Sequence, residues 1–345
     1  CLVGSEMCIR DSYKEGKPDL QLFDKKLYEV NPDDKVAIAR AAAEEVLGKD
    51  ERIISVDSSY SDGEGSSYRL ISNGFEGESK STWFSVSASV SIKGEGEARP
   101  QDYWYDSALF YDKLTKTGIG AKALERVLRK LGQKKAKSGK YTMVVDPMNV
   151  GNLLSPMLSA LYGSALQQKN SFLMDKLDTK VASDLFTLRD EPHAIGANGS
   201  RYFDNEGVAT EPRTVFDKGV LKTYFIDTYN GKKMDIAPTI SAPSRLILTP
   251  GDKDLNGLVA DIKQGILVTG FNGGNSNSST GDFSYGIEGF LIEDGKLTQP
   301  VNEMNVTGNM VTLWNSLVAV GNDPQPNRSW QIPSLVFEGV DFSGL

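Results

Sequence analysis

Few residues in this chain could do chemistry. One histidine, His193, stands in "RDEPHAIGANGS", with Asp190 and Glu191 before it and Ser200 after it. An imidazole works as a general base only when a nucleophile lies within hydrogen-bond reach and a third group orients the ring. Nearness in sequence supplies neither, so a solvent-facing or locally bonded loop histidine is expected. Both cysteines, Cys1 and Cys8, fall in the first dozen residues, which leaves the rest of the chain without a thiol nucleophile, a disulfide or a thiolate ligand. A catalytic zinc takes three protein ligands, usually rich in imidazole or thiolate, and a single histidine does not furnish them. There is no Gly-x-Ser-x-Gly elbow, Walker A loop or strand-linked Gly-x-Gly-x-x-Gly, so those routes to acyl transfer, nucleotide hydrolysis and dinucleotide binding lack their loops. The glycines of "GIGAKALERVLRKLG" precede a helix but have the wrong spacing for a phosphate cradle. A further stretch, "NVGNLLSPMLSALYG" (149–163), has the apolar spacing of a helix that packs under a site, yet carries no His, Glu, Asp, Cys or Lys.

The elements that would position any site can be read at coarse grain. The chain has 345 residues, 39% hydrophobic and 24% charged, enough for two cores and typical of a soluble globular protein. Its formal charge of -8 argues against a nucleic-acid surface, which needs cations to displace phosphate counterions. The one basic run, "RVLRKLGQKKAKSGK" (126–140), reads as the solvated face and end of a helix. No apolar run approaches the length needed to cross a bilayer as a helix, and a cytoplasmic protein is expected. Residues 1–12, "CLVGSEMCIRDS", read as a non-native lead-in, with a native N-terminal portion expected to be missing after it.

The expected fold class is α+β. An N-terminal α/β domain over 13–140 holds a helix at Asp33–Leu47, started by "NPDD", and an antiparallel meander with one wet face, clearest at "WFSVSASVSI". A second helix over Thr117–Gly132 is ended by a glycine. The C-terminal domain, 141–345, is expected to be mostly antiparallel β, with two hairpins that turn at Asp217-Lys218-Gly219 and Glu293-Asp294-Gly295.

The passage "GSRYFDNEGVATEPRTVFDKGVLKTYFIDTYNGKK", with "NSFLMDKLDTKVA" before it and "YGIEGFLIEDGKLTQPV", "GNMVTLW" and "VAVGNDPQ" after it, resembles the TldD/PmbA family, the modulators of DNA gyrase. The resemblance runs from about Asp33 to Leu345 and implies a metal-dependent peptidase complex, a TldD/TldE heterodimer acting on unfolded or extended peptides. The metal-bearing branch carries His-Glu-x-x-x-His on the helix after the strand. Laid against that motif, "LLSPMLSALYG" puts Ser155 at the first histidine, Pro156 at the glutamate and Ala160 at the second histidine. The C-terminal cysteine of that branch is missing too. The resemblance therefore implies the PmbA/TldE-type subunit: no catalytic residue, no metal and no cofactor in this chain, zinc in a TldD-type partner, and a heterodimer or homodimer. Pro156 is expected near the first turn of its helix, where its missing N–H costs little. The Gly-rich loops 270–286 and 304–309 are expected to line the substrate chamber, through Asn272, Gly273, Gly274, Asn275, Asn305, Gly308 and Asn309. A free-standing peptide- or protein-binding module is the alternative function, and an enzyme using His193 or a carboxylate pair is a third.

Overall fold

The computed structural model describes residues 17–72 and 74–345, arranged as two compact units, 17–133 with 195–198, and 134–194 with 199–345. The expected lead-in and both cysteines lie outside the described residues.

The first unit is a three-stranded antiparallel meander under two helices. Helix α1 (Pro32–Glu44) begins at Asn31, whose side chain accepts from the Asp34 N–H, with Pro32 at the first helical position, as a helix start requires. The strands are β1 (Ile53–Leu70), β2 (Glu76–Ile92) and β3 (Gln101–Ala108), followed by α2 (Ile119–Leu128). Alternation decides which face is covered. Phe84, Val86, Ala88, Val90 and Ile92 of β2 are fully buried with Ala42 of α1, Val46 just after it, and Ile119, Ala123 and Val127 of α2, while the intervening serines face outward. The glycine-bearing "SDGEGSS" continues β1 and pairs residue for residue with β2 from Asp62↔Phe84 to Ser67↔Ser79. Cross-strand hydrogen bonding overrides the poor strand propensity of glycine there.

The two helices cross through Gly120, where a Cβ would come within 1.9 Å of the Ala42 carbonyl oxygen. The N-terminus of α2 holds an internal anion: the Glu45 carboxylate accepts from the N–H groups of Gly118, Gly120 and Ala121 at 2.6, 2.8 and 3.2 Å. The glycines of "GIGAKALERV" thus serve helix contact and capping. Part of the basic run is likewise not solvated. Lys130 is 8% exposed, and it and Arg126 each lie 3.2 Å from the buried Asp102 carboxylate.

The second unit contains β4 (Gly139–Val145), α3 (Gly151–Ser159), α4 (Gly163–Gln167), β5 (Leu188–Asp190), β6 (Arg213–Asp217), β7 (Val220–Leu221), α5 (Thr228–Met234), β8 (Leu246–Leu248) and α6 (Leu255–Ala260). It continues with β9 (Gln264–Ser276), β10 (Asp282–Glu293), β11 (Lys296–Asn309), α7 (Met310–Asn315), β12 (Leu317–Val320), β13 (Trp330–Gln331) and β14 (Leu335–Ser343). One sheet runs β11-β10-β9-β4-β14-β12, and β11 also pairs with β14 through Asn305↔Ser343, Val306↔Phe342 and Thr307↔Asp341. Five strands thereby close on themselves as a barrel, which leaves β12 as an appended edge. Met143, Val145, Ile266, Val268, Met304, Val306 and Phe342 share one core with Leu153, Leu154 and Met157 of α3 and Trp314 of α7. The residues between them, Val144, Leu267, Ile292 and Val336, pack with Leu258, Val259 and Ile262 at α6. A second sheet is ordered β13-β8-β5-β6-β7.

The architecture is mixed α+β, as expected, but the antiparallel character of the C-terminal part holds only in part. Strand β4 runs parallel to β9, and β13 parallel to β8. Both expected hairpins form with two-residue turns. Lys218 and Gly219 have φ of 46° and 77°, and Asp294 and Gly295 have 47° and 76°, the left-handed pair that suits the twist of a tight hairpin.

Candidate functional site

Helix α3 starts at the C-terminal end of β4, where the parallel neighbour β9 also runs outward. Asp146 is 4% exposed. Its carboxylate accepts from the N–H and the side-chain amide of Asn149 at 3.0 and 2.7 Å, and the Asn149 amide also donates to the Thr269 carbonyl of β9 at 2.8 Å. This lock fixes the helix beside the strand end from which the Asn272–Asn275 stretch continues, the end of a parallel pair where ligands commonly bind. Leu153, Leu154, Met157, Leu158 and Leu161 are buried and hold the helix by one apolar face.

The three motif positions do not share a surface. Ser155 is exposed and Pro156 half-buried, whereas Ala160 is fully buried and its carbonyl accepts from the Ser171 hydroxyl at 2.6 Å. Pro156 lies within the helix body instead of its first turn, so it removes one backbone bond, the one to the carbonyl of exposed Asn152. A hydroxyl, a proline ring and a methyl group supply no lone-pair donor set for zinc and no carboxylate base. Among the described residues, no group of three or more His, Cys, Asp or Glu is placed to hold a metal ion. The residues present do not fit a zinc site.

The expected substrate residues sit on strands, not loops. Asn272, Gly273, Gly274 and Asn275 belong to β9, and Asn305, Gly308 and Asn309 to β11. Gly273 and Gly274 have φ of 76° and 98°, and the register between β9 and β10 shifts there: a bulge, which gives the glycines a local purpose. A Cβ on Gly274 would meet the Ser284 carbonyl oxygen at 2.1 Å. Asn305 pairs with Gly286, whose Cβ position is 2.6 Å from the Asn272 carbonyl oxygen, so Asn272 and Asn305 flank one residue of β10. Gly308 and Asn309 lie farther along, opposite Phe283 and Asp282. There the Asn309 amide donates to the Thr280 carbonyl and the Asp282 carboxylate at 2.8 and 2.9 Å, the Thr280 hydroxyl donates to the same carboxylate at 2.7 Å, and the bonds from Asn309 and Thr280 hold the Asp282 carboxyl below its usual range. The true connection is the short 277–281 turn. It is tied down through Phe172 N–H to the Ser278 carbonyl at 3.0 Å and Ser278 hydroxyl to the Asn170 amide oxygen at 2.7 Å.

His193 is half-buried, 3.1 Å through Nε2 from the Thr210 hydroxyl, with its ring 5.1 Å from that of Tyr202. Thr210 gives its own proton to the Arg201 carbonyl at 2.5 Å, so the imidazole donates to this hydroxyl and does not activate it. Two carboxylates missed by sequence reasoning as a pair, Asp190 and Asp204, are each 1% exposed. They bind backbone instead of forming an acid–base couple: Asp190 accepts from the N–H groups of Ser244 and Arg245, and Asp204 from those of Glu206, Val208 and Ser241. Burial raises the Asp190 pKa against the opposing pull of those amides and of Arg213 and Arg201. Burial likewise raises Tyr162, which Arg201 partly offsets. The available signal for the Asp204 clamp was the "FDNEG" run, an Asx-turn pattern; the Asp190 clamp closes on residues 54 and 55 positions away and has no local signal.

Residues 25–131 match the PmbA/TldA metallopeptidase central domain, and residues 138–344 the PmbA/TldA metallopeptidase C-terminal domain. The chain belongs to the PmbA/TldD family. It is 30% identical to the metalloprotease PmbA homolog of Haemophilus influenzae over 335 residues, which cover 95% of this chain and 73% of that protein. A crystal structure from Bacteroides thetaiotaomicron, of a protein described as a candidate modulator of DNA gyrase, shares 73% identity at a TM-score of 0.95, covering 96% of this chain and 76% of the other. TldE from Thermococcus kodakarensis, at 21% identity and a TM-score of 0.78 over 97% of this chain and 80% of its own, shares the fold. Among the described residues no helix is long and apolar enough to cross a membrane.

Proposed function

We propose that this chain is the metal-less subunit of a PmbA/TldD-type metallopeptidase complex that acts on unfolded or extended peptides, with zinc carried by a TldD-type partner. The observation that carries the reading is the state of α3. The helix is kept, locked to β9 by Asn149 and packed on its apolar face, while the position of one expected imidazole, Ala160, is sealed in the core and that of the other, Ser155, faces out. A scaffold preserved without its ligands suits a subunit that supplies surface to a neighbour's centre. On this reading Asn272–Asn275 and Asn305 offer amide groups to an extended peptide, whose own backbone presents matching donors and acceptors.

The test is co-expression with a TldD-type chain carrying an intact His-Glu-x-x-x-His. The proposal expects a stable complex that hydrolyses an unstructured peptide, with activity lost when the partner's motif is changed and retained when Ser155 becomes Ala. Failure to associate would favour a free-standing binding module.

A further inference from the structure

The outward face of the meander has a composition that a merely wet surface does not call for. Its twelve paired positions on β1, β2 and β3, read from the register Ser55↔Ser91 to Ser61↔Ser85 and Ser85↔Ser107 to Ser91↔Gln101, hold eight serines, a glutamine, two tyrosines and a single charge, Asp57. The chain as a whole is 24% charged, and the polar residue that strands favour is threonine, of which these positions hold none. Two aromatic surfaces rise from this hydroxyl field. Tyr103 is 51% exposed and stacks on Tyr105 with ring centres 6.0 Å apart at 26°. Trp83 is 46% exposed, and its indole lies across Gly63, where a Cβ would be 3.0 to 3.1 Å from three ring atoms. Glycine therefore lets the indole lie flat on the ribbon. The inner side of the ring is used in packing of the kind that supports a strand glycine, and the outer side is offered to solvent.

We propose that this face binds an uncharged glycan. Pyranose rings present an apolar C–H face suited to an aromatic plane, and their hydroxyls both donate and accept, as serine hydroxyls do. The serines here are arrayed for it: Ser59 and Ser87 hydroxyls lie 2.9 Å apart across the strands, the Gln101 amide donates to Ser89 at 2.8 Å, and each hydroxyl has capacity for more than one hydrogen bond. The scarcity of charge, with Asp57 alone among the twelve positions, selects the occupant. A nucleic acid needs cations opposite its phosphates, and none stands among the twelve positions; Arg69, opposite Gly77, is the one cation on this face farther along the same strand pair. An extended peptide is recognised through strand edges and apolar pockets, whereas here the middle of a sheet presents side-chain hydroxyls. Trp83 lies four residues along β2 from Ser87, the partner of Tyr105, about 13 Å at strand rise. That spacing fits a short linear oligosaccharide that rests on both platforms better than a single sugar.

The experiment is affinity electrophoresis of the full chain through gels that contain a soluble β-glucan, a xylan, a mannan or an α-glucan, followed by calorimetry with an oligosaccharide of whichever polymer retards it. At least one polymer should retard the chain. Tyr103→Ala and Trp83→Ala should each weaken binding at least tenfold. Because Trp83 also supports the ribbon, Ser61→Lys provides the control: it places a charged chain between the two platforms while leaving the indole on Gly63, and it should abolish retardation with an unchanged melting temperature. No retardation by any of the four polymers, or retardation unchanged in Ser61→Lys and Tyr103→Ala, overturns the proposal. So does sedimentation showing a self-associated chain that Ser61→Lys dissociates, since the face would then serve a second copy.

Discussion

Placing histidines at 155 and 160 should fail first on packing and only then on ligand count. At Ser155 the side chain is exposed, so Ser155→His should change stability by no more than about 0.5 kcal/mol. At Ala160 the methyl group is fully buried at the end of α3 and the adjoining carbonyl is engaged by Ser171. An imidazole there overfills a closed core, at about 1–3 kcal/mol, and buries a polar ring without a built partner, at about another 1–3 kcal/mol. The expected destabilisation of Ala160→His is therefore about 3 kcal/mol or more, a fall in melting temperature of about 6–12 °C for a unit of this size. Urea titration read by tryptophan fluorescence gives the free energies, and titration with zinc gives the affinity. The double variant should bind zinc weakly, because two imidazoles fall short of a catalytic ligand set and lack the hydrogen-bonded neighbours that orient metal-bound histidines. An Ala160→His protein as stable as its parent, or a double variant that holds one zinc tightly and cleaves peptide in a chelator-sensitive way, would refute this reasoning.

Other expectations follow from single contacts. Glu45→Ala removes the carboxylate from three N–H groups at the start of α2 and should cost about 1–2 kcal/mol in urea denaturation of the first unit. Gly274→Ala forces a side chain onto a left-handed residue 2.1 Å from a carbonyl oxygen, so the β9–β10 bulge should be lost, with broadened amide signals of residues 272–286 as the readout. Asp190 has a folded pKa raised above its unfolded value, so the folded state binds the extra proton and this group's contribution to stability declines as pH rises from the ordinary aspartate range through the folded pKa. Asp190→Asn keeps an oxygen for the Ser244 and Arg245 amides and should flatten that component in urea midpoints taken between pH 4 and 7, whereas Asp190→Ala should destabilise at every pH. His193→Ala should cost about 1 kcal/mol and leave the peptidase activity of the proposed complex unchanged.

What could be read from the sequence was what is local. The Lys218-Gly219 and Asp294-Gly295 turns announce themselves because only a few residue pairs accept two left-handed conformations in succession, and "WFSVSASVSI" declares one buried and one wet face by period alone. The rest depends on partners far away in sequence. Ser61–Ser67, with two glycines, is held as strand by its pairing with β2. Gly273 and Gly274 read as loop, though they form a bulge inside a strand. The barrel closure through Asn305–Thr307 and the parallel pairing of β4 with β9 leave no local mark. At the site, the serine, proline and alanine at 155, 156 and 160 could be read in the sequence, but the burial of Ala160, the Asn149 lock and the backbone clamps of Asp190 and Asp204 required the packed chain.

The most direct test of the subunit reading is to measure zinc content and peptidase activity for this chain alone and for its purified complex with a TldD-type chain. The account predicts no stoichiometric zinc and no hydrolysis of an unstructured peptide by the isolated chain, and in the complex hydrolysis that a chelator abolishes and that depends on the partner's His-Glu-x-x-x-His. About one tightly held zinc per isolated chain, with chelator-sensitive turnover in the absence of any partner, would contradict it.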